Sequence, residues 1–151
     1  NADSYDENLH LTFETFRENE DAVRSRLVQR LGLKHDSCVL ELGAGSGRDS
    51  VFIADQLGAN GRLYMQDLSL AILRKSFPKM AGKRVCTEFH VGNACHLPFL
   101  DKTFDAVFHF GGLNTFSDIR RFFSEINRVA KVGAKAALAR SGRVSDKPVS
   151  A

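Results

Sequence analysis

The 151 residues suffice for one domain but not for two of ordinary size, and a hydrophobic content of 43% with 26% charged residues is typical of a globular protein. The net charge of +3 comes from scattered basic residues, which excludes an obvious nucleic-acid-binding face, and no apolar run approaches the ~20 residues of a membrane helix. The three cysteines form no CxxC pair, so we expect buried free thiols at Cys38 and Cys86, no metal site and a cytoplasmic location.

Helical and strand patterns alternate along the chain. Val23, Leu27 and Leu31 recur every four residues between charged residues, which is typical of an amphipathic helix that ends at Gly32. Short apolar runs then alternate with helical segments, and this order predicts βαβ units around a parallel sheet. The predicted elements are a helix at 18–31, a strand at 37–43, a helix at 46–57, a strand at 61–67, a helix at 69–77, strands at 84–93 and 104–110, a helix from 117 and a weaker strand at 134–139.

Helix starts are predicted from hydroxyl residues. Ser46 and Asp49 have the spacing of a capping box, so the second helix should begin at Ser46. Ser69 should cap the third helix, and Pro78 should lie beyond its end. Ser117 is the predicted cap of the last helix.

The segment VLELGAGSGRDS, residues 39–50, carries the clearest chemical signal. Gly43, Gly45 and Gly47 alternate between a strand and a helix, so they can bare the backbone to a ligand at the helix N-terminus. A dinucleotide fingerprint would need glycine where Arg48 stands, and no Gly-Lys-Ser/Thr of a P-loop follows. Glu41 would repel a phosphate but suits an ammonium or sulfonium group, such as those of S-adenosylmethionine.

An acidic residue closes the second predicted strand. Asp67 stands twenty residues after Gly47, and an acid there can accept hydrogen bonds from both hydroxyls of a ribose. Leu68 follows it and could form a wall beside an adenine ring. Asp67 could alternatively serve only to cap the helix that begins at Ser69.

Four blocks of sequence in this order resemble the class I S-adenosylmethionine-dependent methyltransferases: VLELGAGSGRD, LYMQDLS, VGNACHLPFLDKTFDAVFHFGGLNTF and EINRVAKVG. The chain is most similar to the small-molecule branch that includes ubiquinone and menaquinone biosynthesis methyltransferases. The resemblance covers roughly residues 5–139. It implies a Rossmann-like, doubly wound α/β fold with helices on both faces of a mainly parallel sheet of order 3-2-1-4-5. It also implies methyl transfer from S-adenosylmethionine to a small-molecule acceptor, without a nucleic-acid or membrane partner.

The resemblance also implies a set of cofactor contacts. Asn93 departs from the aspartate that the family often carries, and it could instead be an ordinary turn residue. Tyr5 resembles an N-terminal tyrosine that often closes over the cofactor, and it could instead serve packing. The implied contacts are Glu41, Gly43, Ala44, Gly45 and Gly47 for the methionine part, Asp67, Leu68, Asn93 and Ala94 for the ribose and adenine, the backbone of Phe110 and Gly111 for the amino group, and Tyr5.

The acceptor side is less defined by the sequence. His109, near the end of the fourth strand, and His96, in a loop, are candidate bases, although a histidine in a strand is more often a core residue and His96 has the pattern of a surface residue. Asn114 stands where relatives often carry a polar residue that faces the acceptor. No catalytic residue is assigned on this basis.

The end of the chain departs from the family pattern. Phe122, Ile126 and Val129 form the apolar stripe of the last helix, which Gly133 should end. Family members normally add a helix and an antiparallel hairpin after the fifth strand, whereas residues 140–151 look like a polar tail. We therefore expect a domain at 1–139, with a helical segment at 1–34, that is truncated and forms a homodimer through the exposed fifth strand. The alternatives are an S-adenosylmethionine-binding protein without turnover and, more weakly, an NAD-dependent oxidoreductase.

Overall fold

The computed structural model describes residues 19–113 and 116–139, which contain one parallel five-stranded sheet. Its strands are β1 (Cys38–Leu42), β2 (Arg62–Asp67), β3 (Cys86–Val91), β4 (Phe104–Phe110) and β5 (Ala130–Ala139). The order β3-β2-β1-β4-β5 confirms the predicted Rossmann-like topology. The helices are α1 (Glu20–Gln29), α2 (Ser50–Gln56), α3 (Leu70–Leu73), α4 (Phe77–Met80) and α5 (Ile119–Val129), with a 3₁₀ turn at Arg74–Ser76.

Helices cover both faces of the sheet, because its central strands are apolar on both sides. In β1, Val39 belongs to a core that includes residues of α1 to α4, whereas Leu40 belongs to the core beneath α5. The stripe predicted for the last helix is buried there, through Phe122, Ile126 and Val129. A parallel strand packed on both faces reads as a continuous apolar run, which is why β1 could be recognised in the sequence.

The helix predicted from Ser46 begins instead at Ser50, so the predicted capping box is wrong. The Asp49 side chain caps nothing, because its carboxylate accepts a hydrogen bond from the Arg24 guanidinium at 2.5 Å. Gly47 has a φ of +78°, which is incompatible with a right-handed helix. Residues 43–49 therefore form a loop rather than the first turn of α2.

Two further helix boundaries differ from the sequence-based prediction. Ser69 does cap α3, but Pro78 lies within the first turn of α4 rather than beyond the helix. Proline is tolerated there because the N–H groups of a first turn have no helical partner. The cap of α5 is Asp118 and not Ser117, since the Asp118 side chain accepts a hydrogen bond from the N–H of Arg121 at 2.9 Å.

The fifth strand is longer than its sequence suggested. β5 begins at Ala130, directly after α5, so Gly133 does not end the helix as predicted. With a φ of +80°, Gly133 lies where the pairing with β4 shifts from Phe104↔Ala130 to Ala106↔Lys135. This irregularity is the reason why only 134–139 looked like a strand.

The composition predicted buried thiols and no membrane-spanning helix, and the structure tests both expectations. Cys95 is buried, Cys38 is half-buried and Cys86 is exposed, so the prediction of a buried thiol is wrong for Cys86. The side chain of Cys86 is uncovered because it stands at the start of β3, an edge strand. Within residues 19–113 and 116–139, no helix is long and apolar enough to cross a bilayer.

Candidate functional site

The three glycines after β1 form a loop at the carboxyl edge of the sheet. Gly43, Gly45 and Gly47 have φ values of +63°, +55° and +78°, which lie in the left-handed region that favours glycine. The N–H of Gly45 donates to Asp67 Oδ2 at 2.8 Å, and the N–H of Ala44 donates to the Gln66 carbonyl oxygen at 2.9 Å. These bonds join the glycine motif to the end of β2, as expected for adjacent parallel strands.

Asp67 holds two backbone groups at once. Besides the Gly45 bond, its Oδ1 accepts a hydrogen bond from the N–H of Ser69 at 2.8 Å. Each carboxylate oxygen has a second lone pair, so the group can still accept hydrogen bonds from hydroxyls. The turn role and the ribose role considered for Asp67 are therefore compatible. Leu68, the next residue, is 74% exposed and leaves an uncovered apolar surface beside the carboxylate.

Glu41 lies at the bottom of the loop and is almost fully buried. Its Oε2 accepts a hydrogen bond from the Ser50 hydroxyl at 2.5 Å. Burial, together with the Asp49 carboxylate, raises the pKa of Glu41 well above its usual range. A cation placed beside Glu41 would favour the ionised form and oppose this shift.

A buried ion-pair network that the sequence analysis missed stands against the loop. The Arg24 guanidinium is 2% exposed and donates to Asp49 and to Glu20 Oε1, the latter at 2.8 Å. It also lies 4.8 Å from the centre of the Phe110 ring. Arg48, at the position where a dinucleotide fingerprint has glycine, donates to Glu20 at 2.8 Å. The available signal was that Arg24 stands four residues before Val28, on the buried side of α1.

A small cavity opens between this network and the glycine loop. One oxygen of its lining, Asp49 Oδ1, is buried and has no hydrogen-bond partner. The cavity therefore combines a guanidinium and a carboxylate beside glycine backbone, which suits a group that carries both charges. Its lining residues are Arg24, Gly43, Ala44, Gly45, Ser46, Arg48, Asp49 and Phe110.

Gln66, also missed by the sequence analysis, connects this loop to the one after β3. Its Oε1 accepts a hydrogen bond from the N–H of Gly43 at 3.4 Å, and its Nε2 donates to the Gly92 carbonyl oxygen. Beyond Gly92, the exposed Asn93 uses its Oδ1 to accept a hydrogen bond from the N–H of Cys95 at 2.8 Å. Ala94 is buried beneath α5. The structure thus brings Asn93 to the same edge of the sheet, where it forms a local turn.

The candidate bases lie in different environments. His109 is 3% exposed, its Nδ1 lies 2.8 Å from the Leu42 carbonyl oxygen, and burial lowers its pKa. His96 is exposed, which confirms the surface alternative for it. Asn114 and Tyr5 lie outside the described residues. Among the residues that are described, no three His, Cys, Asp or Glu side chains are placed to hold a metal ion.

The residue after Phe110 is hydrogen-bonded to the last residue of β5. Gly111 has a φ of +138°, and its N–H donates to the Ala139 carbonyl oxygen at 2.9 Å. The Phe110 side chain is half-buried against the core that includes residues of α1 to α4, and it contacts Arg24. Its backbone therefore lies at the same edge of the sheet as the glycine loop.

Residues 39–133 match a family model described as a methyltransferase domain. The chain is 30% identical over 148 residues to the demethylmenaquinone methyltransferase of Lactiplantibacillus plantarum, covering 89% of this chain and 62% of that protein. It is 33% identical over 115 residues to the 2-phytyl-1,4-naphtoquinone methyltransferase of Trichormus variabilis, covering 74% of this chain and 49% of that protein. The chain thus matches only about half to two thirds of the length of these relatives.

Solved structures share the fold. A SAM dependent methyltransferase from Aquifex aeolicus superposes with a TM-score of 0.65 at 24% sequence identity. The match covers 72% of this chain and 58% of that one. At this level of identity the likeness concerns the arrangement of strands and helices.

Proposed function

The chain belongs to the methyltransferase domain family, and on that premise we propose that it binds S-adenosylmethionine and transfers its methyl group to a quinone-type small molecule. The observation that carries the proposal is the bond between Asp67 and the N–H of Gly45, which joins the two cofactor motifs into one site. The quinone-type acceptor is supported by the activities named for the relatives in Lactiplantibacillus plantarum and Trichormus variabilis.

The residues at the loop fit such a cofactor. A carboxylate could pair with the buried Arg24 guanidinium, and an ammonium group could satisfy the unpartnered Asp49 Oδ1. Glu41 would add a negative charge beneath a cationic ligand. We propose Asp67 for the ribose hydroxyls and the exposed Leu68 for the adenine face. When bound, S-adenosylmethionine supplies an activated methyl group on its sulfonium, so the chain must mainly orient the two reactants.

Five further cofactor contacts, which include Tyr5, remain predictions from the family resemblance. Asn93 and Ala94 are proposed beside the adenine edge, and Asn93 has one lone pair on its Oδ1 besides the one that Cys95 occupies. The backbone of Phe110 and Gly111 is proposed for the amino group. The proposed roles of Tyr5 and Asn114 depend on residues outside those described.

The oxidoreductase alternative is disfavoured by the same loop. A dinucleotide site packs the third glycine of its fingerprint between helix and strand. Arg48 holds that position here, and its guanidinium is paired with Glu20. A diphosphate would also meet the Asp49 carboxyl group, which lines the cavity beside the glycine loop.

Two properties of the whole molecule are proposed in addition. Within the described residues, β5 pairs with β4 on one side only, which supports association of two copies through β5. The free thiols, one of them the exposed Cys86, support a reducing compartment such as the cytoplasm.

Methyl transfer is tested with labelled S-adenosylmethionine and 1,4-naphthohydroquinone kept reduced under anaerobic conditions. We expect label in the organic extract from the wild-type chain and none from Asp67→Ala, whose cofactor site is impaired. Cofactor binding without transfer to this acceptor would favour the alternative of a binding protein without turnover. Transfer at equal rates by both proteins would contradict the proposed site.

A further inference from the structure

A ring nitrogen that has no hydrogen-bond partner among the described residues lies beside the glycine loop. The His109 Nδ1 lies 2.8 Å from the carbonyl oxygen of Leu42. Because a carbonyl oxygen only accepts hydrogen bonds, Nδ1 carries the proton and Nε2 carries a lone pair. Nε2 is buried and has no hydrogen-bond partner in the part of the chain that the structure describes. Such orphaned acceptors are uncommon in native proteins, and each calls for an explanation such as a bound water or a functional role.

The position of the ring relates it to the proposed site. A Cβ at Gly43 would lie 3.3 Å from Nδ1, so the imidazole packs directly against the first glycine of the loop. The imidazole also contacts the Phe116 and Phe122 rings, at 5.2 Å and 5.7 Å between centres. Neither phenylalanine ring offers a conventional hydrogen-bond donor to Nε2.

The environment favours hydrogen-bond acceptance over proton removal. Burial lowers the pKa of His109, and the Leu42 carbonyl opposes this shift only in part. No charged side chain contributes to the shift. The imidazole is therefore neutral near neutral pH, and forming an imidazolium between two phenylalanine rings would be costly.

We propose that His109 Nε2 accepts a hydrogen bond from a hydroxyl group of the methyl acceptor, an inference that rests on the proposed function. A phenol or hydroquinone provides such a donor, whereas a quinone or a methyl ether does not. Because a buried Nε2 without a hydrogen-bond donor costs free energy, the site binds analogues that lack the hydroxyl more weakly. His109 is thus the residue that selects the reduced, hydroxyl-bearing form of the acceptor.

The test compares two ligands on two proteins saturated with S-adenosylhomocysteine, so that no transfer occurs. The ligands are 1,4-naphthohydroquinone under anaerobic conditions and 1,4-dimethoxynaphthalene, which has no hydroxyl. The proteins are the wild-type chain and His109→Asn, whose amide nitrogen can still donate to Leu42 but which lacks Nε2. We expect the wild type to bind the hydroquinone roughly tenfold more tightly than the ether, and His109→Asn to bind both alike.

A nitrogen NMR measurement on the wild type makes the result independent of the variant's folding. The Nε2 resonance of His109 should move when the hydroquinone is added and should stay when the ether is added. An unmoved resonance, or an equal ligand preference in both proteins, would overturn the role of His109 while leaving cofactor binding intact. If the wild type does not bind S-adenosylhomocysteine at all, the proposed function fails and this inference fails with it.

Discussion

Glu41 is the residue whose ionisation should be most visible in the stability of the protein. Its pKa is raised by burial, so the folded chain holds this proton more tightly than the unfolded chain. The stabilisation from the proton is complete below the ordinary pKa of 4.5 and is lost as pH rises through the raised value. Glu41→Gln should therefore lose less stability than the wild type between pH 4.5 and neutral pH. Urea unfolding across this range measures the difference, and parallel curves for the two proteins would show that Glu41 ionises normally.

Asp67 allows a second prediction at the level of a single residue. Asp67→Ala removes the proposed acceptor of the ribose hydroxyls and should weaken S-adenosylmethionine binding by about 2–3 kcal/mol. Asp67→Asn keeps one side-chain oxygen and should lose less. Both variants also lose hydrogen bonds from the N–H groups of Gly45 or Ser69, which can lower the stability of the fold. The free energy of unfolding in urea is therefore measured for each variant alongside the binding titrations. If Asp67→Ala is less stable but its folded fraction binds S-adenosylmethionine normally, Asp67 only stabilises the turn and does not contact the cofactor.

The glycine loop can be tested as an element through Gly47. A Cβ there would lie 2.7 Å from Ser76 Cβ, and the backbone is left-handed with a φ of +78°. Gly82 is a matched control, because its φ is +82° and a Cβ would meet nothing within 4 Å. Gly82→Ala should cost about 1 kcal/mol from backbone strain alone, and Gly47→Ala about 2–4 kcal/mol through the added clash. Equal losses in urea unfolding would mean that Ser76 moves away freely.

The strands were more predictable from the sequence than the helix ends. β1 and β4 are mostly apolar and mostly buried, β2 is apolar only in part, and the bounds of all three agree with the prediction to within a residue or two. The start of α2 was not predictable, because it depends on Arg24 drawing the Asp49 carboxylate away from the helix end. That contact joins residues 25 positions apart, which no local pattern reveals.

In the candidate site too, residues within local sequence motifs were predictable, whereas residues that depend on contacts between distant parts of the chain were not. The family resemblance assigned the glycine loop and Asp67 to one cofactor, and the structure places them in hydrogen-bond contact. The Arg24 network and the Gln66 bridge were missed, because each depends on polar side chains buried by distant parts of the chain. The contacts of Glu41, Asn93 and the other implied residues with a cofactor stay predictions.

For the whole molecule, association through β5 gives a further prediction. Edge strands pair readily with a second chain unless a charge on the strand prevents it. We expect the wild type to elute with twice the mass of one chain, and Ala136→Lys to shift the equilibrium to the monomer. Ala71→Lys, on an exposed position of α3, is the control and should remain dimeric. Light scattering after size exclusion measures the masses, and a wild-type monomer at all concentrations would refute the dimer.

Isothermal titration of the wild-type chain with S-adenosylmethionine, S-adenosylhomocysteine and NAD tests the central claim most directly. The first two ligands should bind through the glycine loop, the buried Arg24 and the carboxyl groups of Glu41 and Asp67. They should bind NAD poorly, because its diphosphate meets negative charge where a dinucleotide site has glycine and helix N–H groups. Saturable binding of the two S-adenosyl ligands with little heat from NAD is the predicted result. Tighter binding of NAD than of S-adenosylmethionine would contradict the account.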